Sequence, residues 1–119
     1  MNKKLKLLYE STELNPDEPV FSIGEAVEII KAGSGKTIRD YDTNGITSFR
    51  KNSRGDRIFS RNDIVYLKNL RNLGNFGFKL KALKFLSGFL KSRKINPVEF
   101  INEFSAYCTS RQYKDNSKK

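Results

Sequence analysis

Apolar residues occur in short bursts separated by polar stretches, and most bursts repeat at three- and four-residue intervals. Leu5–Pro19 shows little periodicity and carries two prolines, so residues 1–20 are expected to form a flexible arm and folding to begin at Phe21. Ser22 followed by Glu25 is a capping box, and Phe21 stands where a residue before the cap can staple onto Ala26. Ile23, Ala26, Val27 and Ile30 then predict a helix ending near Lys31. Ala32-Gly33-Ser34-Gly35 breaks it, and Ser34 is placed to cap a second short helix from about Gly35 to Asn44, buried along Ile38 and Tyr41. Asn44-Gly45 suits a left-handed ending.

Ile46, Phe49, Ile58 and Phe59 flank the polar run 50–57, in which Gly55-Asp56 has turn chemistry. This predicts a small hairpin whose tip carries Arg50, Lys51 and Arg54. A further helix starts at Ser60 and Asp63 and is apolar at Ile64, Leu67, Leu70 and Leu73. Another follows the Gly74–Gly77 turn, with Leu80, Leu83, Leu86 and Leu90 inside and Lys79, Lys81 and Lys84 on its wet side. Asn96-Pro97 restarts a helix with the apolar stripe Phe100, Ile101, Phe104, Tyr107 and Cys108, after which 110–119 is a polar tail expected to fray. Tyr9 and Tyr113 fall in the expected tails and receive no role.

Composition narrows the chemistry. In 119 residues there are 23 Lys+Arg and 13 Asp+Glu, a net +10, enough for one small domain with a polyanionic partner. The excess is concentrated in residues 21–86, where thirteen basic and six acidic groups give +7. The absence of His removes imidazole catalysis and His-ligated zinc, and the single Cys108 cannot form an internal disulfide or a thiolate metal site. No cofactor is expected. No apolar run approaches the roughly 20 residues that span a bilayer, and Met1–Leu8 lacks signal-peptide character. A cytoplasmic, nucleoid-associated protein with no membrane partner is the expectation.

Helix, turn, helix, basic hairpin and two more helices is the order of a winged helix-turn-helix, a mainly α fold. Phe21-Ser22-Ile23-Gly24-Glu25, Thr37-Ile38-Arg39-Asp40-Tyr41-Asp42, Asn44-Gly45-Ile46, Gly55-Asp56-Arg57-Ile58-Phe59-Ser60, Asp63 and Leu70 through Leu86 carry a further likeness. Over residues 21–86 this set resembles the DNA-binding domain of the MerR family of bacterial transcription regulators. The resemblance implies a second helix that enters the major groove with Lys36, Thr37 and Arg39, and a wing that follows the backbone with Arg50, Lys51 and Arg54. Ser34, Tyr41 and Arg57 complete the implied DNA-binding set, and Arg57 is implied to pair with Asp42 and lock the wing to the helix. Asp40 departs from the pattern, standing where the family usually has a tyrosine. The long antiparallel dimer helix of these regulators is not expected either, because 33 residues follow Leu86 and Pro97 interrupts them. A short extension over 87–109 is expected instead, with Leu83, Leu86, Leu90, Phe100, Ile101, Phe104 and Tyr107 as candidate homodimer contacts and no small-molecule effector.

Gly33-Ser34-Gly35-Lys36-Thr37 imitates the end of a phosphate-binding loop, but Ile30 occupies the first glycine position and the preceding segment is patterned as a helix. The resulting expectation is a non-enzymatic, sequence-specific binder of double-stranded DNA acting as a MerR-like transcriptional regulator. The alternative is an architectural or adaptor protein, excisionase-like or chromosome-anchoring, using the same fold.

Overall fold

In a computed structural model, described over residues 3–117, two capping boxes set the frame. Ser22 Oγ accepts from Glu25 N at 3.1 Å while Glu25 Oε1 accepts from Ser22 N at 2.9 Å, starting one helix. Ser60 and Asp63 make the same exchange at 3.1 and 2.9 Å and start another. Each box satisfies two backbone donors that a bare helix end leaves open.

The element order is α1 (Lys3–Glu10), β1 (Phe21–Ser22), α2 (Ile23–Ile30), α3 (Lys36–Thr43), β2 (Ile58–Phe59), α4 (Arg61–Asn75), α5 (Leu80–Ser92) and α6 (Pro97–Ser117). α2 ends on Lys31, whose φ of 58° is left-handed, and α3 ends at Asn44 before Gly45 at φ 72°. Ile64, Leu67, Leu70 and Leu73 form the buried stripe of α4, which is the centre of the core. Phe21, Ile38, Phe59, Leu83, Leu90 and Ile101 close around it from β1, α3, β2, α5 and α6. Tyr66 lies in the same core with its hydroxyl donating to Ile46 O at 3.3 Å, and burial pushes its phenol up to about 12. None of the helices is long and apolar enough to cross a membrane among the described residues.

The expected hairpin is present as a short antiparallel turn, and the two-stranded sheet is an addition to it. β2 pairs antiparallel with β1, Phe21 opposite Phe59 and Ser22 opposite Ile58. The 50–58 loop itself is held by one bridge, Lys51 to Arg57, and by Ile58 N donating to Arg50 O at 2.9 Å. Phe21, expected only as a staple, is therefore also a strand residue. Its two-residue strand is too short to show a period.

Both ends of the chain also depart from expectation. Over its described residues, 3–20, the expected arm is not free: Leu5 is buried, Tyr9 meets Phe21 edge-on at 6.2 Å and Lys68 Nζ lies 4.6 Å from the Tyr9 ring centre. Arg61 donates to Ser11 O at 2.6 Å, Leu14 O at 3.2 Å and Tyr9 O at 3.3 Å, supplying a cation to the carbonyl end of α1. Asn62 adds a 2.8 Å bond to Asp17. Local periodicity could not reveal this docking, because the hydrogen bonds of Arg61 and Asn62 span 45–52 positions. Arg61→Ala is expected to cost about 1.5–3 kcal/mol, the scale of hydrogen bonds from a charged donor. Amide exchange should then accelerate across residues 3–18 while α4 stays protected; uniform protection in both proteins would refute the anchoring role.

α6 is longer than the expected extension, continuing past Thr109 to Ser117, with residues 118–119 outside the described residues; of the expected tail positions, Tyr113 has no described side chain. Its first half lies along α4. Asn69 donates to Asn102 Oδ1 at 2.8 Å, and Asn72 donates to Ser105 Oγ at 2.8 Å and Thr109 Oγ1 at 2.9 Å. These amide bridges form a polar seam between α4 and α6 as far as Thr109.

Candidate nucleic-acid interface

α3 has two faces. Ile38 and Tyr41 are buried, while Lys36, Thr37 and Arg39 are exposed. Its start is sterically tight: a Cβ on Gly35 would lie 2.9 Å from a guanidinium nitrogen of Arg39 and 3.0 Å from Ile23 Cδ1. Glycine at that point lets α3 begin against α2 with the Arg39 side chain folded beside the turn. The helix cap is Gly35 rather than the expected Ser34. Ser34 remains exposed, and its Oγ accepts from Lys36 N at 3.3 Å.

Asp42 ties this helix to the loop after it. Arg57 Nε donates to Asp42 Oδ2 at 2.7 Å, with the two side chains only 21 % and 11 % exposed. The other carboxylate oxygen accepts from the hydroxyl of buried Thr47 and from Phe49 N at 3.4 Å. One acid therefore joins α3 to both ends of the segment 47–57. The implied Arg57–Asp42 pair is present, which makes Arg57 a brace. The end of α3 is further pinned by Lys91 Nζ donating to Gly45 O at 2.7 Å.

Asn52 shapes the loop tip, a role that sequence reading missed. Its Oδ1 accepts from Arg54 N at 2.9 Å and from Asp56 N at 3.0 Å, while its own N–H donates to Asp56 O at 2.8 Å. The signal was available: an Asn two residues before the Arg54-Gly55 step, with Gly55 at φ 83°, is the composition of a side-chain-closed turn. Lys51 and Arg54 stand exposed on this loop. Arg50 does not belong to the tip as expected. It reaches back to Asp17 O at 2.7 Å and lies 3.9 Å from Asp63, at the base.

Two clefts show how the cations assemble. Arg39 of α3 and Arg54 and Arg57 of the loop line one open cleft of about 370 Å³, together with Ser22, Ile23 and the acid Asp56. Lys51 and Arg57 line a second, of about 250 Å³, against Asp42 and Thr43 at the end of α3. Lys36 lies on the same helix, its ammonium 2.8 Å from Asp40 across one turn. That exposed pair balances the charge of the atypical Asp40 and is weak enough to exchange for another anion.

Tyr41 and three candidate dimer residues need correction. Tyr41 is 6 % exposed; burial raises its phenol pKa, opposed by the nearby Arg71 charge, so its side chain is core rather than surface. Leu83, Leu90 and Ile101 are buried within the single chain and cannot meet a second copy. Leu86 and Phe104 are half-buried, Phe104 packing 5.3 Å from Phe78, whereas Phe100 and Tyr107 are exposed. Cys108 packs at the edge of the core.

No group of three acidic or thiol side chains suited to a metal ion exists among the described residues. No curated protein and no solved structure matches the chain. The family model described as MerR HTH family regulatory protein matches residues 21–86.

Proposed function

The chain belongs to the MerR family of helix-turn-helix regulatory proteins, and on that premise we propose that it binds double-stranded DNA at defined sequences to control transcription. In this reading α3 enters the major groove, Arg39 and Thr37 meet base edges, and Lys36 leaves Asp40 for a phosphate. Lys51 and Arg54 follow the backbone beside it. The observation that carries the reading is the shared cleft, in which Arg39 from α3 and Arg54 from the loop face one opening. Phosphate contacts supply most of the affinity and base contacts the discrimination. Arg57 acts through Asp42, and Ser34 lies at the helix entrance where backbone N–H groups favour an anion.

Selection from a random duplex pool tests this reading. A recurring motif is the expected result. A twofold-symmetric motif would also require two copies, for which Phe100 and Tyr107 are the exposed aromatic residues on α6. Recovery of unrelated sequences with equal affinity would refute sequence-specific control and favour the architectural alternative.

A further inference from the structure

α5 is amphipathic in an unusual way. Its inner side is core, yet Phe85 and Phe89 stand 64 % and 55 % exposed on its outer side. They are four residues apart, so they rise one above the other about 6 Å apart along the axis. The same four-residue spacing puts Lys81 before them and Arg93 after them. Lys81 Nζ lies 5.9 Å from the Phe85 ring centre, and the Arg93 guanidinium lies 5.4 Å from that of Phe89. Ala82 and Gly88, three residues either side of Phe85, are small and exposed, leaving shallow space beside the ring.

Charge is equally one-sided. No Asp or Glu occurs between Asp63 and Glu99, an interval that includes the whole of α5. Among the described residues, Lys81, Lys84, Arg93 and Lys94 have no carboxylate within ion-pair distance. An apolar ridge edged on both ends by unpaired cations is complementary to a helix with an apolar stripe and acidic flanks. A second copy of α5 would bring like charges together. Single-stranded nucleic acid needs open ring faces for stacking, whereas both rings here are attended by their own cations.

We propose that the outer face of α5 docks an acidic amphipathic helix of another protein, with Phe85 and Phe89 as anchors and Lys81 and Arg93 as the charge clamp. This surface is separate from the α3–loop cleft, and the proposal does not depend on DNA sequence preference. The partner's leucine-type side chains would seat beside the rings, and its carboxylates would draw the two cations off them.

Fluorescence anisotropy of the full chain with a labelled helical peptide about 18 residues long tests it, using leucines at i, i+3, i+4 and i+7 and glutamates elsewhere. The expected result is binding at least tenfold tighter than to the same peptide with lysines for glutamates. Phe85→Ser/Phe89→Ser should lose about tenfold or more, as anchor residues do, with an unchanged circular dichroism spectrum. Lys81→Glu/Arg93→Glu should favour the lysine peptide. No peptide binding, equal binding of both peptides, or binding indifferent to the phenylalanines would overturn the proposal. So would binding of anionic vesicles or a single-stranded oligonucleotide, or self-association in sedimentation, that the phenylalanine variant alone abolishes.

Discussion

Asp42→Asn is expected to lower the unfolding free energy by about 2–3 kcal/mol and to weaken DNA binding beyond what that loss of folded protein explains. Removing one partner of a fully buried ion pair typically costs about 3–5 kcal/mol, because the other charge stays desolvated without compensation. Arg57 retains 21 % exposure, so water can recover part of that loss, which sets the lower figure. The asparagine oxygen can still accept from Thr47, but its amide would present donors to the Arg57 guanidinium. At this chain length the change corresponds to a fall in Tm of about 10 °C, readable by thermal circular dichroism. Arg57→Met in the Asp42→Asn background should restore part of the stability, because the stranded charge is then gone. It should not restore DNA binding, since the loop would no longer be braced to α3. An unchanged Tm for Asp42→Asn would remove the brace from the account.

Arg39→Ala and the pair Lys51→Ala/Arg54→Ala are expected to fail in different ways. A base-reading arginine contributes about 1–3 kcal/mol to the preferred site, so Arg39→Ala should weaken that site roughly ten- to hundredfold and random DNA much less. Each lost phosphate contact should instead lower affinity for all sequences and reduce the slope of log K against log salt by about one. The double variant should therefore lose about two in slope while its ratio of specific to random binding holds. Competition titrations across a salt series separate the two behaviours. If Arg39→Ala leaves the ratio intact, α3 does not read bases through that side chain.

The parts of this molecule that were legible in the sequence are those specified by neighbours in the chain. Ser22 with Glu25 and Ser60 with Asp63 fixed two helix starts from residues three apart. The stripe Ile64 to Leu73 fixed the central helix by period alone. What escaped was decided at a distance. The N-terminal segment docks because Arg61 reaches Tyr9, Ser11 and Leu14, and the first half of α6 is fastened to α4 by Asn69 and Asn72. At the candidate site, exposed Lys36, Thr37 and Arg39 and buried Ile38 followed from helical phase. Tyr41 follows the same phase and is buried, as its place beside Ile38 predicts, at odds with the DNA-binding role that the family resemblance implied for it. Arg50 was misassigned to the tip because its anchor, Asp17, lies 33 residues away.

In the proposed binding mode, α3 and the 50–57 loop act as one rigid, cationic clamp for duplex DNA. An amide-resolved NMR titration of the full chain with a duplex bearing the selected motif tests it most directly. The largest shifts are expected to fall together on residues 34–40 and 50–57, with the same midpoint for both segments. Shifts confined to α5 and α6, or two segments that respond with unrelated midpoints, would contradict it.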